Sequence, residues 1–163
     1  MKKSLAIISV VMLALVVVGI VYYIMRSLAL YRLLKQVGYH RPWMAWVPYL
    51  NIYAVGDVTA DLCGENEKVA LFGKTSIPAV LCRFWFFINI VLTMPSGEFG
   101  LFCNLITVAV TIFFTAGTFS VLMAKLRGTE PSRETGISLA ASILPFVDVY
   151  YFADTRKKLK NIY

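Results

Sequence analysis

Apolar and polar positions fall in long blocks along this chain rather than at the short period of a soluble helix or strand. Leu5 to Met25 is a run of 21 residues without a charge. As a helix rising 1.5 Å per residue it measures about 32 Å, enough to cross a hydrocarbon layer of roughly 30 Å. The pattern predicts a first membrane span over about residues 5–25. A cleaved signal peptide also begins with basic residues such as Lys2 and Lys3, but this run is too long for its apolar core and lacks a small-x-small cleavage site, so retention as an anchor is expected. Thr75 to Met94 forms a second stretch, interrupted by Pro78 and Arg83 and closed by Pro95-Ser96-Gly97. Gly100 to Met123 follows with 24 uncharged residues. Together these two predict a helical hairpin through a bilayer.

Two shorter apolar segments, about residues 43–56 and 137–153, share a pattern. Setting Pro48 on Pro145 aligns Tyr49 with Phe146, Asn51 with Asp148, Tyr53 with Tyr150 and Asp57 with Asp154 without a gap. We read this as a weak internal repeat, P-[YF]-x-[ND]-x-Y-x-x-x-D, each copy following a membrane-type run and a basic connector containing glycine. Pro48 and Pro145 each remove a backbone donor and disfavour helix at the residue before, so both segments are expected to be broken.

Charge bears on whether they cross, because cytoplasmic loops collect Lys and Arg. If both segments dip in and return, or lie in the interface, thirteen basic residues from Arg26 to Lys160 share one side, and only Lys2 and Lys3 oppose them. If both cross, the split is eight against seven. The expectation is therefore an all-α integral membrane domain over residues 1–163, with three spans and two re-entrant or interfacial segments. Its N-terminus would lie outside and its C-terminus in the cytoplasm. Four or five spans is the rival, and Lys2 and Lys3 ahead of a first span argue against the orientation, for a cytoplasmic N-terminus. Trp43, Trp46, Tyr49 and Tyr53, near Tyr39, His40 and Arg41, read as an aromatic belt of interface anchors.

Composition agrees: 59% of residues are hydrophobic and 15% charged, which excludes a disordered or collagen-like chain. Three cysteines, Cys63, Cys82 and Cys103, with no C-x-x-C give neither a disulfide framework nor a zinc site. The net charge of +7 and the terminal Arg156-Lys157-Lys158-Leu159-Lys160 cluster point to anionic lipid rather than nucleic acid in such a chain.

Polar residues inside apolar runs are the candidate sites. Arg83 falls eight residues into the second expected span and needs a partner there; Asp57, Asp148 and Asp154 are the candidates, with Asn51 beside them in the repeat. Either a buried ion pair, a lipid headgroup site or simple snorkelling would satisfy it. Asn104, Thr107, Thr111, Thr115 and Thr118 recur at steps of three and four and stack on one helix face. Cys82, Asn89 and Thr93 make a poorer row in the second span. Such stripes commonly pack helix on helix, and a hydrophilic pathway is the sharper alternative. His40 is the one histidine, the carboxylates Asp57, Asp61, Glu65 and Glu67 read as a solvated acidic loop, and no phosphate-binding or familiar catalytic motif occurs. No cofactor or metal is implied, and the reading leans away from an enzyme.

The stretch from Tyr31 through Gly38, Trp43, Pro48 and Asn51 to Tyr53 resembles a segment of small bacterial multi-pass membrane proteins of unknown function, in which a Gly, a Trp and then I-P-[FY]-x-N-x-Y follow the first span. Leu122-Met123-Ala124-Lys125-Leu126, Gly136 and Leu144-Pro145-Phe146 are similar to that family's second half, although Thr129 to Thr135 is more polar here. Some relatives are joined to signal peptidase domains, so the resemblance implies an envelope context and transfers no catalytic residue. Three functions follow as expectations. The first is a non-enzymatic subunit or scaffold that packs against other membrane proteins or copies of itself. The second is a small transporter or channel built around Asn51 and Asp148. The weakest is an enzyme using Asp57, Asp148 or Asp154.

Overall fold

A computed structural model describes residues 2–64, 67–92 and 100–160. Glu65, Thr93, Met94 and the Pro95-Ser96-Gly97 turn lie outside the described residues, as do the side chains of Asn89 and Cys103. The first apolar run does not stop at Met25 but continues as one helix, α1 (Lys2–Val37), about 54 Å long at the α-helical rise. Past Arg26 the sequence turns amphipathic: Leu30, Leu33, Leu34 and Val37 repeat at helical spacing, and the three leucines are fully buried. Gly38, at φ +80°, ends the helix, and the Tyr39 N–H closes it by donating to the Leu34 carbonyl at 3.0 Å.

The chain then makes a 3₁₀ turn (Pro42–Trp46) and α2 (Leu50–Cys63), a hairpin of β1 (Lys68–Leu71) and β2 (Thr75–Pro78), then α3 (Ala79–Leu92), α4 (Gly100–Arg127), α5 (Pro131–Ile143) and α6 (Val147–Lys160). α4 ends as α1 does: Gly128 has φ +65° and the Thr129 N–H donates to Ala124 at 2.9 Å.

The hairpin corrects two expectations. The architecture is mostly helical rather than purely so, and the second apolar stretch opens as a strand instead of a helix. Lys68 to Leu71 pair antiparallel with Pro78 to Thr75, through a three-residue turn, Phe72-Gly73-Lys74, in which Phe72 and Gly73 both have positive φ. Leu71 is fully buried and its methyl groups sit where a Cβ on Gly117 of α4 would be, 3.0 Å away. Four residues of hairpin strand carry no signature that sets them apart from the apolar stretch they lead into, so the segment beginning at Thr75 reads as one element. α1 and α4 are long and apolar enough to cross a membrane. The described length of α3, 14 residues, is about 21 Å, and α2, α5 and α6 are no longer, all short of the hydrocarbon thickness.

Four helices run side by side in the same sense. At one end Arg26 of α1, Ile52 of α2 and Thr115 of α4 line one cavity, and Asp148 of α6 joins Arg26. At the other end Val37, Leu62, Leu126 and Leu159, from the C-terminal turns of the same four helices, line one groove. Between these ends lies the core: Leu30, Leu33 and Leu34 of α1, Val55 and Val58 of α2, Phe119, Leu122 and Met123 of α4, Tyr151 and Phe152 of α6. Burying each such leucine or phenylalanine stabilises by on the order of 2 kcal/mol. α3 lies antiparallel to α2, with Tyr53 against Phe87 at one level and Asp61 against Arg83 at another. Gly56 permits that approach, since a Cβ there would lie 2.0 Å from the Cys82 carbonyl oxygen.

The repeat holds at the level of backbone. Val47 and Leu144 have the same conformation, φ −99° with ψ 123° and 122°. Tyr49 and Phe146 then both take positive φ, 66° and 72°, which bulky residues rarely adopt. At Tyr49 the Leu50 N–H reaches back to the Pro48 carbonyl at 2.8 Å, a tight three-residue turn. α2 and α6, each 14 residues, start from these elbows. The long helices are exchanged between the copies: α1 packs on α6, and α4 on α2.

Candidate functional site: three tyrosine, carboxylate and arginine triads

Every deeply buried carboxylate among the described residues stands between an arginine and a tyrosine hydroxyl. In the first triad Arg26 Nε lies 2.6 Å from Asp148 Oδ2, and Tyr22 Oη donates to the same oxygen at 2.9 Å. This clamps the middle of α1 to the first turn of α6, where Asp148 Oδ1 also accepts from the Val149 N–H. In the second, Arg83 Nε lies 2.5 Å from Asp57 Oδ1 and Tyr39 Oη donates to Oδ2 at 2.7 Å, while Arg83 also reaches the exposed Asp61 at 2.7 Å. It joins the connector after α1 to α2 and α3. In the third, Arg127 lies 3.3 Å from Glu134 Oε2, to which Tyr151 Oη donates at 2.7 Å. Arg127 also holds Asp154 at 3.0 Å and the Thr155 hydroxyl, and its guanidinium covers the Tyr151 ring at 4.7 Å. Ser138 and Thr129 complete this network through Tyr151 and Glu134, which ties α4, α5 and α6 together.

Each triad brings a positive and a negative charge together, so neither faces the interior uncompensated. Burial raises the Tyr39 and Tyr151 phenols well above the ordinary value, and the hydrogen bonds to Asp57 and Glu134 add to it. Protonated phenols are what the carboxylates need as donors. No group of three or more potential metal ligands occurs among the described residues.

Of the five residues expected as one buried polar site, four are spread over the three networks and Asn51 stands outside them. Arg83 has Asp57 as its partner; Asp148 belongs to Arg26, and Asp154 to Arg127 and Lys158. Arg83 is in the first turns of α3, beside the C-terminal half of α2. Asp57 and Asp61 belong to α2 rather than to an acidic loop. Asn51, the counterpart of Asp148, is buried with its Oδ1 lacking a hydrogen bond. On α4, Asn104 is exposed, Thr107 and Thr118 are buried, and Thr111 and Thr115 are half-buried, so the stripe turns inward. Trp43, Trp46 and Tyr49 are exposed, whereas Tyr53 is half-buried against Phe87.

Residues that the sequence reading passed over carry much of this chemistry: Tyr22, Arg26, Tyr39, Arg127, Glu134 and Tyr151. The available signal was the coincidence of a tyrosine and an arginine four residues apart at the end of the first apolar run, Tyr22 and Arg26, one face of one helix. No family model matches the sequence, and comparison with curated proteins and with solved structures finds nothing similar.

Proposed function

We propose that this chain is a non-enzymatic integral membrane subunit or scaffold. The observation that carries this reading is the outer half of α1: from Ile7 to Met25 the apolar side chains are exposed, with none of the most apolar window buried. That is a run of surface that water disfavours and lipid tails accept. Beside the point where it leaves the other helices, Tyr22 packs edge-on against Phe146, and Tyr23 Oη donates to the Trp46 carbonyl. The exposed Trp43, Trp46, Tyr49, Phe146 and Tyr150 gather around the same two elbows, as anchors at a lipid-water boundary would. On this reading the parallel helices sit at the cytoplasmic face, the N-terminus lies outside, and basic residues meet anionic lipid. The outer faces of α1 and α4 are then left for other membrane proteins or a second copy. The resemblance to small multi-pass envelope proteins supports the same context.

The three triads favour a scaffold over a transporter or an enzyme, because Asp57, Asp148 and Asp154 are each held by an arginine. The test is cysteine accessibility in a chain whose native cysteines are replaced by alanine. Lys68→Cys and Lys157→Cys are both expected to react only from the cytoplasmic side, in a protein that resists carbonate extraction. Labelling from opposite sides, or release into the wash, rejects the reading. Asp148→Asn is expected to alter assembly or abundance; loss of a solute flux with assembly intact would instead favour a transporter.

A further inference from the structure

Where α1, α2, α3 and α4 meet there is a small cavity lined by Arg26, Val55, Cys82, Trp85, Thr118 and Phe119, among others. Two of its polar groups lack an adequate partner. Trp85 is 2% exposed, stacked on Phe114 at 4.3 Å, and its Nε1–H makes no hydrogen bond. The buried Thr118 hydroxyl also makes none to oxygen or nitrogen and has the Cys82 thiol beside it, a weak partner. Leaving such groups dry forfeits their hydration without replacement, and buried indole N–H groups are usually bonded. The cavity offers about 10 Å³ to a water-sized sphere, about what a single water needs.

We propose that this cavity is a binding site for one water molecule, which accepts from Trp85 Nε1 and donates to Thr118 Oγ1. The half-buried Thr115 hydroxyl, which also lines the cavity, supplies a third partner, within the two to four that hold a buried water. An anion is disfavoured on two grounds. The one cation lining the space, Arg26, is already matched by Asp148 at 2.6 Å, and the remaining wall of Ile52, Val55 and Phe119 is apolar. The threonine stripe on α4 thus ends in a hydrated pocket between helices rather than in a dry contact. This site does not depend on which side of a membrane the helices face.

The test uses the full chain with 15N-labelled tryptophan indoles. Trp85 Nε1–H is expected to show direct cross-relaxation to a long-lived water. The signal should fall several-fold in Thr118→Val, with the Trp43 and Trp46 indole resonances unmoved. A folded native chain with no such signal at Trp85 overturns the proposal, as does a saturable shift of the Trp85 resonance on titration with bromide, which would assign the cavity to an anion. The native-chain measurement decides the matter even if Thr118→Val fails to fold.

Discussion

The two copies of the repeat have one backbone and two chemistries. Both elbows turn at an aromatic residue with positive φ and both launch a 14-residue helix. Yet at the second helical position one copy has Asp148, clamped by Arg26 and Tyr22, and the other has Asn51 with an unbonded oxygen. Seven positions into each helix the contrast is in packing: Gly56 admits the backbone of α3, and the aligned residue in α6 is Ala153. Proline and the elbow dictate the course of the main chain. The helix that lands across each copy dictates which polar group the position can hold.

Substitutions can break that comparison at its strongest point first. Arg127→Met leaves the buried Glu134 without its cation, while Asp154 keeps Lys158, and is expected to cost about 3–5 kcal/mol of stability in detergent. Arg83→Leu takes the cation from Asp57 but leaves it the Tyr39 hydroxyl, and Asp61 is exposed, so about 1–3 kcal/mol is expected. Equal losses in chemical denaturation would show that burial does not rank the two networks.

Alkali probes the same pair of triads together. Tyr39 and Tyr151 have folded values raised above the ordinary 10.0, so the folded state holds their protons more tightly than the unfolded chain does. Their contribution is complete below about pH 10 and is lost as pH climbs toward the folded values. Unfolding midpoints should therefore fall above about pH 10, and Tyr39→Phe with Tyr151→Phe should flatten that fall; a flat native profile would contradict it.

The glycine contrast is next. Gly56→Ala drives a methyl group into the Cys82 carbonyl and is expected to destabilise by about 1–3 kcal/mol. Ala153→Gly in α6 should cost only about 0.5–1 kcal/mol, the ordinary penalty of glycine in a helix. Similar costs would mean that α2 and α6 are packed alike. The smallest change is at the elbows: Tyr49→Gly removes a positive-φ penalty of about 1 kcal/mol. In detergent it should be neutral to slightly stabilising, and clear destabilisation would give the tyrosine ring a packing role beyond its exposed position.

Much of this was legible in the residues. Uncharged runs located the long helices α1 and α4, and aligning Pro48 with Pro145 anticipated two equivalent elbows, down to the aromatic that follows each proline. What escaped were features made by pairing and packing between elements. Thr75 to Pro78 looked like the start of an apolar span because its strand partner, Lys68 to Leu71, lies across a turn. Arg83 had three plausible aspartates in sequence, and only the antiparallel packing of α3 on α2 selects Asp57. Arg26 looked like a flanking charge, since nothing local says that α6 will cross α1 beside it.

The common direction of α1, α2, α4 and α6 has an electrical consequence. Each helix carries roughly half a negative elementary charge at its carbonyl end, and here four such ends gather around one groove. Lys35, Lys125 and Arg127 occupy the last turns of α1 and α4, and Lys157 and Lys158 stand near the end of α6. A share of the formal +7 is thus spent at home, as counterions to the main chain, and the field felt by any approaching anion is weaker than a tally of side chains suggests.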